Sequence, residues 1–318
     1  MAFSISGITG YIDETSFELI SKAVLGTNLG SYTDVRVGLK GKSVDIPLLD
    51  TDFVVGSGDA CGYSNTETTT ISQVNMNLFN AKINATFCVQ SLRDTFMSKA
   101  LAAGALNGGQ SLPMEQLYAN FFVEKLQNYN ERFLIAGAAE GSQTVNGLYQ
   151  QASASANTYI GGGTGTITGS NTAWTLANAV SQSQDMYTKL PDTVSMADDL
   201  ILIVSPSDYK TLSLATTQAN YYHIAPDINQ VFIPGTNVRV VASAGIPYAS
   251  GNSFKLLTRA SNIIVGTDLT GDFEQFKLWY SQDNDEMRSL MRWIIGVTMI
   301  QPELAVTVFH NTTSITRL

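Results

Sequence analysis

The densest group of chemically active side chains in this 318-residue sequence is Asp283, Asp285 and Glu286, followed by Arg288 and Arg292. Carboxylates this close together can hold a divalent cation through oxygen ligands or divide the roles of general acid and base. A hydrolase working through them is the catalytic reading. The run Asp283-Asn284-Asp285 also lies between two stretches of strand pattern, which makes a turn with locally paired charges the more ordinary expectation. The histidines, His223 and His310, stand in separate segments. Neither lies in a His-x-x-x-His or Gly-x-Ser-x-Gly context, so metal and triad chemistry lack parts. Cys61 and Cys88 show no metal-ligand spacing and are read as free thiols, with one disulfide between them as the alternative. The run Gly161-Gly162-Gly163-Thr164-Gly165-Thr166 lacks the Gly-Lys-Ser/Thr ending of a phosphate loop, and no apolar strand precedes it. It reads as a flexible loop. The expectation is a protein that is not an enzyme, with no catalytic, cofactor-binding or metal-binding residues and no cofactor.

Composition points elsewhere. Charged residues make up 14% of the chain against about 25% in an ordinary soluble domain, while the apolar share is a normal 44%. A surface supplied by Ser, Thr, Asn and Gln instead of interspersed charge suits extensive contact with other subunits, although a β-rich extracellular protein shares that composition. The formal net charge is -9, and lysines and arginines are scattered from Lys22 to Arg317 without a block. Sequence-specific nucleic-acid binding is therefore not expected, and any DNA the protein meets would be contained rather than gripped. No basic region precedes an apolar stretch at the N-terminus, so no secretory signal is expected, which argues against an adhesin or pilus-like role. Aliphatic runs such as Leu200 to Val204 fall far short of the roughly 20 residues that span a bilayer, so no membrane partner is expected.

The elements follow from periodicity. Residues 1 to 38 are punctuated by glycines such as Gly7, Gly10, Gly26 and Gly30 and have helical spacing only over Asp13 to Leu25, which suggests an extended arm. Ser43 to Pro47 and Ile71 to Phe87 alternate with period two, as the strands of a long hairpin whose tip is Thr-rich. Such a ribbon is marginal in water alone and needs another chain to lie on. A helix is expected over Val89 to Ala103. From Met114 to Ala136 the residues Met114, Leu117, Tyr118, Phe121, Phe122, Leu126, Tyr129 and Phe133 recur at helical spacing, predicting a helix of about 35 Å with an apolar core face. Residues 151 to 173 form an uncharged Ser/Thr/Ala/Gly tract, read as linker or surface loop. Trp174 to Leu190 reads as helix. Leu200 to Val204 reads as a buried strand entering a helix at Ser205-Pro206-Ser207-Asp208, and the lobe continues through Val231 to Pro234, Val238 to Ala242 and Phe254 to Leu257. Ile263 to Thr267, Phe273 to Ser281, Ser289 to Ile300 and Ala305 to Phe309 return to strand.

The order of these elements resembles the HK97-like major capsid protein of tailed bacteriophages across nearly the whole chain. Ser43 to Phe87 resembles that family's E-loop hairpin, and Met114 to Ala136 its spine helix. Asn146-Gly147-Leu148-Tyr149 is similar to the turn after the spine. Leu200 to Tyr209 is similar to the axial-domain strand that runs into a Pro-started helix. Pro234-Gly235-Thr236-Asn237-Val238-Arg239-Val240-Val241, with Ile246-Pro247 after it, resembles a Gly-x-x-Val strand of that domain. Ile263-Ile264-Val265-Gly266 and Pro302-Glu303-Leu304-Ala305-Val306 resemble the closing peripheral strands.

The resemblance implies an α+β fold divided into an N-terminal arm (1–42), an E-loop hairpin (43–88), a peripheral domain with the spine helix (89–150), an axial domain with a flexible linker (151–258) and peripheral return strands (259–318). It implies a structural protein that self-assembles into hexamers and pentamers of an icosahedral virion capsid around double-stranded DNA, put together in the host cytoplasm. Scaffold, portal and decoration proteins are its implied partners. An encapsulin-like nanocompartment shell is the alternative within the fold. Two departures stand out: the chain opens almost directly into the arm, without a long helical scaffold region, and no lysine lies between Lys42 and Lys82. Lys-Asn cross-linking through the hairpin is therefore not expected.

Overall fold

A computed structural model describes residues 26–53, 67–87, 113–140, 143–153, 158–160, 173–219, 231–246, 253–268, 275–284 and 286–310. In chain order the elements are β1 (Asp34–Arg36), β2 (Ser43–Phe53), β3 (Glu67–Phe87), α1 (Pro113–Ala136), β4 (Ala138–Glu140), β5 (Gln143–Val145), α2 (Leu148–Ser153) and β6 (Thr158–Ile160). The second half carries α3 (Ala179–Thr188), α4 (Asp192–Ser195), β7 (Leu200–Val204), α5 (Pro206–Gln218), β8 (Arg239–Ala242), β9 (Ser253–Arg259), β10 (Ile263–Thr267), β11 (Gln275–Ser281), β12 (Glu286–Met299) and β13 (Val306–His310).

Two sheets organise these elements. The larger runs β1-β10-β12-β3-β2, with β11 also paired to β12. Alternation along β12 sends Met291, Trp293, Ile295, Val297 and Met299 into the main core, where Val123, Leu126 and Phe133 of α1 meet them. The indole N–H of Trp293 donates to Asn130 Oδ1 of α1 at 3.0 Å, so the polar edge of a large buried ring is satisfied by the helix it packs on. On the opposite face Ile46, Met76, Leu78, Ile264 and Ile294 form a smaller cluster.

The second sheet runs β6-β13-β9-β7-β8. Its interior strand β7, between β9 and β8, is buried throughout. Ile201 and Ile203 enter the main core, whereas Leu200, Leu202 and Val204 join a second core with Trp174, Met186 and Leu212. A strand covered on both faces reads as an unbroken apolar run, which is why this segment was conspicuous in the sequence. Its exit into α5 is set by Ser205, whose hydroxyl accepts from the Asp208 amide at 3.1 Å, with Pro206 in the first turn.

Several expectations are corrected. The hairpin strands are longer than period two indicated, reaching Phe53 and beginning at Glu67, because Thr- and Asp-bearing strand ends carry little hydrophobic signal. The helix expected over Trp174 to Leu190 starts at Ala179, and Leu176 ahead of it is exposed. Within the tract read as linker, Thr158–Ile160 pairs in parallel with β13. The segment Val231 to Pro234 contributes only an isolated bridge, Phe232 to Arg239. β13 does not rejoin the larger sheet but pairs with β9 and β6 in the second. On α1, Phe121 departs from the core stripe, with 58% of its surface exposed and the Lys125 ammonium 5.3 Å from its ring centre. The helices expected over Asp13 to Leu25 and Val89 to Ala103 lie outside the described residues.

The turn after α1 is tightly fitted. Gly137 has φ 69°, a left-handed conformation that favours glycine, and a Cβ on Gly147 would run into the Gly137 amide and the Ile135 carbonyl. Gln150 closes the junction, donating to the Ala136 carbonyl at 2.8 Å and accepting from the Gly147 amide at 2.9 Å.

Candidate assembly surfaces

The carboxylate cluster of the sequence is the hairpin end between β11 and β12. Asp283 and Asn284 are exposed, and Glu286 accepts from Arg288 Nε at 2.8 Å and from Asn284 Nδ2 at 3.3 Å. Hydrogen bonds from Arg288 first, then Asn284, hold the Glu286 carboxyl below its ordinary range. These contacts are those of a charged turn, with the carboxylate engaged by its own strand. The side chain of Asp285 lies outside the described residues, as do Cys61, Cys88, His223, the side chain of His310 and the glycine run from 161 to 166. Among the described residues no three His, Cys, Asp or Glu side chains converge as a metal site. A cavity of about 310 Å³ between β3, β5 and β12 is lined by Asn75, Asn77, Asn146, Gln150, Gln151 and Thr298 together with apolar side chains and, among the described residues, no titratable group. Gln151 is committed to the fold there, donating to the Val297 carbonyl at 3.0 Å and accepting from the Met299 amide at 2.7 Å.

The conspicuous surface is the hairpin. β3 has 21 residues and so extends about 70 Å. Its C-terminal half, from Leu78 to Phe87, pairs with β12, whereas Glu67 to Asn77 pairs with β2. A two-stranded ribbon about 35 Å long thus continues past the pairing with β12. On it Leu49 and Ile71 are direct cross-strand partners, and 71% and 76% of their surfaces are exposed. Two aliphatic side chains stacked on one face of a bare ribbon cost solvation free energy that a covering surface would recover.

The interior of the second lobe holds an ion pair. Lys255 of β9 points into the second core, where its ammonium lies 3.3 Å from the Asp208 carboxylate and 4.6 Å from the Trp174 ring centre. Asp268, just past β10, is wholly buried, and among the described residues neither carboxylate oxygen has a hydrogen-bond partner. Sequence reading found neither. The cations, scattered along the chain, are gathered by register, which sets Lys82, Lys277, Arg288 and Arg292 on one face of the larger sheet. Alternating positions within β3, β11 and β12 were the available signal, and it becomes informative only once the pairing is known.

No family model matches the chain, and no curated protein matches it. Solved structures do. The chain is similar to one in the satellite phage P4 procapsid including size determination (Sid) protein, at 12% identity, over 97% of this chain and 91% of that one, with a TM-score of 0.58. It is similar to the capsid of an empty GTA particle at 13% identity, over 92% and 91% of the two chains, with a TM-score of 0.56. The capsid of Myoviridae phage XM1 matches at 12% identity over 89% and 91%, with a TM-score of 0.52. At such identities the likeness is one of fold: the chain has the α+β fold of phage capsid proteins over nearly its full length.

Proposed function

We propose that this protein is the major capsid protein of a tailed bacteriophage, a non-enzymatic shell subunit that closes around double-stranded DNA without reading its sequence. In this reading residues 1–42 are the arm, 43–88 the E-loop, 89–150 the spine-bearing part of the peripheral domain, 151–258 the axial domain and 259–318 the return strands, with β13 lent to the axial sheet. Hexamers and pentamers form around the axial lobe, and scaffold, portal and decoration proteins are the partners of the shell, which assembles in the host cytoplasm into the virion. The observation that carries the reading is the ribbon, whose exposed Leu49–Ile71 pair is built to be covered by a neighbouring copy.

Electron microscopy and sedimentation of the purified chain, alone and with a scaffold, test it. Closed particles or capsomers are expected from the wild type. The double variant Leu49→Ser/Ile71→Ser should keep its thermal midpoint, because the pair is exposed, and should lose assembly. A wild-type chain that stays monomeric at high concentration would sink the proposal, and native particles that hold protein cargo and no DNA would place it with nanocompartment shells.

A further inference from the structure

The cations of this acidic chain are concentrated by sheet register. On β12, Arg288, Leu290 and Arg292 alternate with Met291 and Trp293, which are buried toward α1, so the former face away from the helix. Register sets Lys277 of β11 opposite Leu290 and Trp279 opposite Arg288, and on the other side of β12 it sets Lys82 of β3 opposite Arg292, Asn84 opposite Leu290 and Thr86 opposite Arg288. Lys82, Asn84, Thr86, Lys277, Trp279 and Arg292 are exposed. Arg288 is paired with Glu286, but among the described residues no carboxylate forms an ion pair with Lys82, Lys277 or Arg292. Lys82 and Arg292, about 5 Å apart as cross-strand partners, repel each other. The result is a field of positive charge about 14 Å long, four residues of β12, and about 10 Å wide, two strand spacings.

Lysine, arginine and tryptophan side chains donate hydrogen bonds and accept none, so this face suits a partner that is negative and rich in acceptors. One strand of a duplex presents a phosphate every 3.4 Å or so of helix axis, about four over the length of the field. Asn84 and Thr86 are of the types that add neutral hydrogen bonds to phosphate oxygens. With a formal charge of -9 the chain as a whole repels a polyanion, which leaves this face as the place where one can come close. We propose that it is a non-specific contact for the phosphate backbone of double-stranded DNA, in which Lys82, Lys277 and Arg292 neutralise phosphates and Trp279 of β11 packs at the margin. The inference rests on the shell reading and adds to it which side of the larger sheet looks toward the enclosed DNA.

The test is chemical footprinting of lysines in intact particles of the full-length chain. An amine-acylating reagent, read by mass spectrometry, should modify Lys82 and Lys277 several-fold less in DNA-filled particles than in the same particles emptied of DNA. The exposed Lys125, on α1 across the sheet, should show no such difference. The variant K82Q/K277Q/R292Q removes a repulsion, so it should keep or raise its thermal midpoint and still assemble. Binding of a random-sequence duplex to the unassembled wild-type chain should weaken about forty-fold between about 50 and 200 mM salt when three phosphates are neutralised, and the variant should lose nearly all of that dependence. Lys82 and Lys277 that react alike in filled and emptied particles overturn the contact and leave the shell reading standing: reactive in both, the face looks outward; protected in both, it is covered by another copy. A variant with the salt dependence of the wild type overturns it as well. A wild type that never assembles, or native particles that hold no DNA, overturn the shell reading and the inference together.

Discussion

The ammonium of Lys255 stands 3.3 Å from the Asp208 carboxylate inside the second lobe, with 0% and 2% of the two side chains exposed. Lys255 reaches this place because Phe254 and Leu256 of β9 alternate into the main core, leaving Lys255 and Leu257 on the side of α3 and α5. Asp208 lies in the first turn of α5, where a negative charge suits the helix dipole. The pair therefore ties the Pro-started helix to the middle of the second sheet.

Stability should depend on pH through Lys255. Burial pulls Lys255 down to about 8, against the opposing attraction of Asp208. In the unfolded chain the lysine keeps its proton to about 10.4, so between these values the unfolded state binds more protons and stability rises with pH. The penalty for burying the charge is present in full below about pH 8 and is relieved toward pH 10, a change on the order of 3 kcal/mol. Urea unfolding at pH 7.5 and pH 9.5 checks it, with Lys255→Met as the control lacking that slope.

Breaking the pair should be costly and removing it whole should not. Lys255→Met leaves the Asp208 carboxylate buried without its cation and is expected to lose about 3–5 kcal/mol at neutral pH. The double variant Lys255→Met/Asp208→Asn should recover most of that loss. A double-mutant cycle from denaturant midpoints reads the coupling, and additive losses would show that the two charges do not interact.

The turn after α1 predicts a backbone clash. Gly147→Ala drives a methyl group into the Gly137 amide and the Ile135 carbonyl, neither of which can move without opening the Gln150 contacts. A loss of about 1–3 kcal/mol is expected. Thermal unfolding measures it; an unchanged midpoint would mean that the two segments do not approach so closely.

Asp268 predicts the opposite sign. Its carboxylate is buried with neither oxygen hydrogen-bonded among the described residues, and a buried polar group without a partner costs roughly 1–3 kcal/mol, more when charged. Asp268→Asn keeps the shape and removes the charge, so it should raise the unfolding midpoint of the isolated subunit. A fall would show that the carboxylate has a cationic partner in solution.

What could be read from the sequence was whatever repeats locally. The apolar run of β7, the helical spacing of α1 and the alternation in β3 are properties of one segment and the face it buries; β7 and α1 appear where their periods placed them, and β3 does so from Ile71 on, with its start further back at Glu67. The cap at Ser205 was legible because Ser-Pro at a helix start satisfies backbone groups within one turn. The charged turn at 283 to 286 was legible for the same reason, its hydrogen bonds joining residues two apart.

The sheet that β13 joins could not be read, because its apolar residues suit either sheet and only long-range backbone pairing decides. The core position of Lys255 was hidden too, since in sequence it is one polar residue in an alternating strand. The gathering of Lys82, Lys277 and Arg292 onto one face required three strands to align, with Lys82 about 200 residues from the other two. Composition indicated an acidic chain with little surface charge, and period two marked out the hairpin. Tertiary structure alone decided that the hairpin outruns its pairing with β12 and that a basic face stands beside it, because register is a relation between segments and no segment encodes it alone.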